Sequence, residues 1–351
     1  MKQTVGNRIK SARTLAGLSL RELASRMEGI VSHNAIKKYE DGLMMPDSKV
    51  IIALANVLNV KPDYFFRPYT VEIENVEFRK KSRMTQKELK SIKENVTNSI
   101  ERYIELEQFL NIPSTFNNPL KDFVINNGDD VEVAVNHLLT QWRVGFNALP
   151  NVIELLEDKG VKVIELDTNE GFDGLSGWAN GTIPVIVVNK NYTNDRKRFT
   201  ALHELGHLLL SFAPSVEPKI EEKLCHRFAG AMLMPKETFI TEVGEHRTNI
   251  SLPELVAIKE TFGISIQAIM ARAKDLEIIT NETFVRFRIW MNQLPERKKE
   301  VGLGIFLGRE HSSRFRQLLY RAASEEIISL SKAANLANKK LSDFRDEFFA
   351  V

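Results

Sequence analysis

The chain has a single cysteine, Cys225, in 351 residues, so no intrachain disulfide can form and a reducing compartment is implied. No apolar run approaches the roughly 20 residues that cross a bilayer. The opening "MKQTVGNRIKSARTLAG" lacks an apolar stretch followed by a small-residue cleavage site. A soluble, cytoplasmic protein with no membrane partner is expected. A charge excess is lacking too: 48 Lys and Arg stand against 46 Asp and Glu, so any surface for a polyanion must be local. Neither a fixed-period repeat nor a low-complexity tract stands out. What is present is 43% hydrophobic residues, ordinary for globular cores, over a length that suits two or three domains.

Residues 1–68 read as a bundle of short helices. Ser19 precedes "LRELASRM" with Glu22 three residues on, a capping box, and Asp47 and Ser48 stand at the mouth of "KVIIALANVL". Apolar residues such as Ile9, Leu23, Met27, Ile36, Ile51 and Leu54 recur largely at three- and four-residue intervals. "SLRELASRM", the turn "EGIVS" and "HNAIKKYEDG" have the layout of a helix-turn-helix. Gly29 suits the left-handed end of the first helix and Ser32 the cap of the second.

In such a motif the second helix enters the major groove. Here Ser32, His33, Asn34, Lys37 and Lys38 lie near its start or on one side, where base edges and phosphates are reached. Asn can read adenine and Lys guanine, and either can bind phosphate. The local charge agrees, since eleven basic against six acidic residues over positions 1–67 leave a net +5. A helical protein-interaction module is the competing reading.

Through "IKSARTLAGLSLRELASRM", "AIKKYEDGLMMPD" and "VIIALANVLNVKPDYFF", the segment resembles the Cro/C1 or XRE-type helix-turn-helix family. Leu20 stands where that family commonly has a polar residue. The resemblance implies a double-stranded DNA operator as partner and a homodimer as the binding state.

Residues 69–118 form a charged connector. From about 75 to 110 alternating charges surround a thin apolar stripe of Leu89, Ile92, Val96, Ile100, Tyr103 and Ile104. This pattern predicts a long solvated helix that bridges domains or pairs with a copy of itself. "NIPSTFNNPLKDF" marks the break after it.

Residues 119–280 mix helix and strand. "AVNHLLTQWRVG" is helical, "VKVIEL" and "IPVIVVN" are β-branched strands, and "NDRKRFTALHELGHLLLSF" returns to helical spacing. Positions i and i+4 share a helix face, so His203 and His207 can aim at one cation, with Glu204 beside the first. This is the H-E-x-x-H pattern of zinc peptidases, in which the carboxylate takes a proton from the attacking water.

A buried core helix that merely carries two histidines is the alternative, because the surrounding leucines would bury it without metal. Two histidines stacked on one face must then find hydrogen-bond partners. Gly206 costs about 1 kcal/mol of helix propensity and points to close approach by another element.

A catalytic zinc needs a third protein ligand and an open position. In "EPKIEEKLCHRFAGAMLMP", Ile220, Leu224, Phe228 and Ala231 mark a second helix, and the spacing leaves Glu222, Glu221 and His226 as candidates. A solvated charge cluster is the other reading of "EEK".

Together, "GLSGWANGTIPVIVVN", "RKRFTALHELGHLLL" and "EEKLCHRFAGAMLMP" resemble the ImmA/IrrE family of metallopeptidases over about residues 125–280. The resemblance implies that His203, His207 and Glu222 bind the metal, with Glu204 as general base and zinc or manganese as the ion. Cys225 and His226 stand where many members have Ala-Asn or Ala-Asp.

Other residues invite lesser expectations. Cys225 reads as a small buried residue. Trp178 and "IPVIVVN" could border an edge strand that holds an extended peptide, against a plain core strand. Arg196 and Arg198 read as solvated surface, with capping contacts or substrate binding as the alternatives, and Tyr192 as a stabiliser of an oxyanion. The helical region 281–351 has Ser329 or Ser331 as a cap. It suits a second small helix-turn-helix, a partner-binding hairpin, or packing against the peptidase domain. His246 and His311 read as surface residues.

The expected architecture is multi-domain: an all-α helix-turn-helix domain, a helical connector, an α+β zincin-like metallopeptidase domain and a helical tail. The expected function is a DNA-binding transcriptional regulator with metal-dependent endopeptidase activity that cleaves a partner repressor or antitoxin. A non-proteolytic metal-containing transcription factor and one component of a toxin-antitoxin pair are the alternatives.

Overall fold

Polar caps start the first helices where the sequence places them. A computed structural model describes residues 2–67, 71, 73–74, 85–169 and 171–350, and these divide into two units. One comprises residues 1–114, 178–182 and 313–351, the other residues 115–177 and 183–312. The first unit opens with α1 (Lys2–Leu15), α2 (Leu20–Arg26), α3 (His33–Glu40) and α4 (Ser48–Leu58). Ser19 and Glu22 close a reciprocal capping box on α2, while Ser32 accepts from the Ala35 amide and Asp47 from the Val50 amide. Glu28 and Gly29, at φ of 49° and 81°, turn the chain from α2 towards α3. Ile9, Leu23, Met27, Ile36, Leu54 and Phe65 fill the core between the helices.

α5 (Gln86–Phe109) begins at a second capping box, Thr85 with Glu88. The sequence predicts a solvated or self-pairing helix here, but its stripe is covered by the same chain. α5 packs against α1 and buries Ile92, Val96 and Ile100. Arg8 of α1 donates to both oxygens of Glu101 at 2.8 and 3.0 Å. Residues 69–70, 72 and 75–84 of the expected connector lie outside the described residues. The short strand β1 (Ile73–Glu74) pairs with Ala179 and Trp178.

The second unit contains β2 (Val124–Ile125), α6 (Gly128–Trp142), α7 (Val152–Asp158), β3 (Lys162–Leu166), β4 (Gly174–Ala179) except its last two residues, which count with the first unit, β5 (Ile183–Asn189), α8 (Asn194–Leu209), β6 (Ser211–Phe212) and α9 (Pro218–Leu233). α10 (Lys236–Val243), α11 (Leu252–Phe262), α12 (Ile266–Asp275), α13 (Asn281–Asn292) and α14 (Pro295–Lys298) follow. β5 lies between β4 and β3 and runs parallel to β3, Lys162 opposite Val185. Every residue of β5 is buried, so "IPVIVVN" is a central strand and not an edge that could take a peptide. Asn180 and Gly181, both with positive φ, make the tight turn from β4 to β5.

α8 packs against β5 and α9. Its flank corrects one expectation: Arg198 is fully buried, while Arg196 is half-exposed. Arg198 donates to the Leu149 carbonyl at 2.6 Å and lies 3.5 Å from Glu310. Glu310 accepts from the Val152 and Ile153 amides, at the positive end of α7, which is why a charged pair sits inside.

The tail consists of α15 (Arg314–Ser324), α16 (Leu330–Leu336), capped by Ser329, and α17 (Leu341–Phe348). Its Leu318, Leu319, Ala322 and Phe344 share a core with Tyr103 and Leu106 of α5. The tail thus completes the first unit, an outcome that its local sequence does not indicate.

Candidate metal centre and DNA-facing helix

The helix that carries H-E-x-x-H is α8, and its leucines face inward: Leu202, Leu205 and Leu209 are buried. Gly206 explains how closely α9 approaches. A Cβ there would press on Phe228 at 3.3 Å and on Cys225 at 3.4 Å. That closeness brings Glu222 of α9 opposite the two histidines.

Nε2 of His203 lies 3.1 Å from Nε2 of His207, and the Glu222 oxygens lie 3.5 and 3.6 Å from these nitrogens. All three donor atoms fall within 4.8 Å of one another. Donors bound to one Zn2+ at about 2.0–2.2 Å in a tetrahedron lie about 3.3–3.6 Å apart, so the residues fit such an ion. His203 is buried and His207 partly so, whereas the Glu222 side chain is 37% exposed, which gives the cluster a solvent-facing side.

The other candidates from spacing have different places. Glu221 is not part of the cluster among the described residues. His226 stacks on the His203 ring, with centroids 4.2 Å apart, and lies at 6.0 Å from Phe199.

Around the cluster stand further groups, of which Ser176 and Gly174 were not singled out from the sequence and Cys225 was read only as a small buried residue. Ser176 of β4 donates its hydroxyl to Glu204 at 2.8 Å. Gly174 lets β4 pass directly over α8, since a Cβ there would lie 2.7 Å from Thr200 and 3.3 Å from Glu204. Cys225 Sγ is 3.0 Å from His207 Nδ1. Its signal was present, because Glu222 and Cys225 are spaced i, i+3 and share a face of α9. Ser176 had no such signal. Tyr192, expected to face an oxyanion, donates to Asp173 at 2.7 Å, with the Arg196 guanidinium 3.6 Å over its ring.

On α3, Ser32, His33, Asn34, Lys37 and Lys38 are exposed, and Ile36 and Tyr39 are buried on the opposite side. The Ser32 hydroxyl is engaged by the Ala35 amide, and Lys37 pairs with Asp41 at 2.6 Å. Not every cation counted in the sequence contributes to an external field. Arg8 pairs with Glu101, Arg13 with Glu40 and Arg67 with Asp63. Lys37 and Lys38 remain at the surface.

Residues 9–65 match the family model described as helix-turn-helix, and residues 156–274 match the model of the IrrE N-terminal-like domain. The chain therefore joins an XRE-type helix-turn-helix to an α+β metallopeptidase-like domain, the architecture of the ImmA/IrrE proteins that its motifs resemble. No curated protein matches the chain. Among the described residues no helix is long and apolar enough to cross a membrane.

Proposed function

We propose that this chain is a DNA-binding transcriptional regulator that also hydrolyses a peptide bond in a partner repressor or antitoxin. The observation that carries the peptidase reading is the convergence of two imidazole nitrogens and a carboxylate at ligand spacing, with Glu204 next to His203 on the same helix. His203, His207 and Glu222 hold the ion, zinc or manganese. When bound, such an ion acidifies water and polarises a carbonyl.

Glu204 accepts the proton of the attacking water and returns it to the leaving amine. The Ser176 hydroxyl fixes one Glu204 oxygen, so the carboxylate keeps one orientation.

At the other end, Asn34, Lys37 and Lys38 of α3 face an operator, with Ser32 and His33 at the helix mouth. Two copies bind as a homodimer, each reading one half-site. One chain thus couples an operator reader to a peptidase.

The test is to incubate the metal-loaded full chain with the protein encoded beside it, with and without chelator, and to repeat this with Glu204→Gln. Cleavage that requires metal and falls at least 100-fold in the variant is expected. Undiminished cleavage by a metal-loaded Glu204→Gln chain removes the general-base assignment. An intact partner under all conditions favours a transcription factor whose metal domain has no turnover.

A further inference from the structure

Inside the first unit, away from α3, lies a cavity of about 220 Å3. Four elements build its wall: the end of α1, the segment after α4, the middle of α5 and the end of α16. Its polar lining includes Lys61, Arg67, Arg102, Asn98, Asn335 and Asn338, and no residue of the lining is acidic.

The cations there are unequally compensated. Arg67 donates to Asp63 at 2.8 Å and is held by Asn335. Arg102 donates to the Leu336 carbonyl at 3.0 Å, the Asn98 carbonyl at 3.3 Å and the Ser99 hydroxyl at 3.4 Å, all neutral acceptors. Neither Arg102 nor Lys61 forms an ion pair among the described residues. Two positive charges therefore face one small space with no carboxylate in its wall; the Asp63 carboxylate that also attracts Lys61 is already engaged by Arg67 and by the Asn335 amide, which donates to it at 2.7 Å. Burial, with Arg67 nearby, pushes the Arg102 guanidinium down to about 10, and burial also lowers the Lys61 ammonium.

We infer that this cavity binds the phosphate group of a small metabolite, with Arg102 and Lys61 as counter-charges and asparagine side chains as further hydrogen-bonding groups. A guanidinium fork matches the oxygens of a phosphate. Size limits the remainder of the ligand, because pockets for drug-sized molecules span about 300–1,000 Å3. Inorganic phosphate or a monoester with a body of a few atoms fits, and a nucleotide does not. Because the wall draws on the helix-turn-helix bundle, α5 and the tail, an occupant ties these three parts together. This assignment is independent of the peptidase reading.

The test is isothermal titration of the full chain with inorganic phosphate and with glycerol 3-phosphate, at ionic strength held constant with chloride. One saturable site is expected. Its affinity should fall at least tenfold in Lys61→Gln and in Asn338→Asp, both at positions that are not part of the buried core. It should be kept by Lys37→Ala plus Lys38→Ala, which removes the exposed α3 cations instead. Tighter binding of glycerol 3-phosphate identifies a monoester as the ligand, and tighter binding of inorganic phosphate identifies the free ion. Absence of a saturable site for either anion, or affinity unchanged in both cavity variants, overturns the inference.

Discussion

The sulfur of Cys225 lies 3.0 Å from Nδ1 of His207, whose Nε2 points at His203 and Glu222. With Nε2 engaged as a ligand, Nδ1 carries the proton and the sulfur accepts it, which fixes the ring and its tautomer. Cys225→Ala should lower metal affinity about 10- to 100-fold, the usual effect of losing a partner behind a ligand. Cys225→Ser, which keeps an acceptor, should restore most of it. Chelator competition measures both, and equal affinities for wild type and Cys225→Ala would remove the role.

In the proposed site Glu222 is the third ligand, contributed by the second helix. Glu222→Ala should leave purified protein with little bound metal, while its melting temperature in chelator matches that of the wild type in chelator. Metal analysis by mass spectrometry checks this, and an undiminished stoichiometry would place the third ligand elsewhere.

Operator binding should depend on α3. If Lys37 and Lys38 each contact a phosphate, their joint replacement by alanine lowers the slope of log affinity against log salt by about 2. A slope that does not change would move the DNA surface to another helix.

Glu132 holds the second unit together from inside. It accepts from Arg272 at 3.1 and 2.9 Å and from Arg227 at 2.9 Å, joining α6 to α12 and α9. Burial alone would raise its carboxyl; the two guanidinium groups outweigh burial and hold it below the usual range. Its folded pKa is thus below the unfolded value of about 4.3. The linked stability is fully present above that pH and is lost as the pH falls through the folded value. Glu132→Gln should cost about 3–5 kcal/mol at neutral pH, because it leaves a buried guanidinium uncompensated. The same change should flatten the loss of stability below pH about 4, as followed by denaturant unfolding across pH.

The sequence and the fold divide this protein along a physical line. The capping box at Ser19, the turn at Gly29 and the i, i+4 histidines of α8 were legible, because each depends on residues within one or two helical turns. Gly206 also signalled a close neighbour, although not which one. The metal cluster was half legible: His203 and His207 follow from helix geometry, whereas spacing left Glu222 in competition with Glu221 and His226.

Contacts between distant segments had no local signal. The sequence alone determined the helix-turn-helix pattern, the main strands and helices around H-E-x-x-H, where the two candidate histidine ligands lie, and that positive charge gathers near the amino terminus. Tertiary structure decided that Arg198 is buried against Glu310, that the α5 stripe is covered by α1 and α15, that Ser176 meets Glu204, and that Cys225 meets His207. The reason is that hydrogen-bonded turns and periodic faces are set by neighbours in the chain, while burial and charge pairing are set by whichever segments close packing brings together.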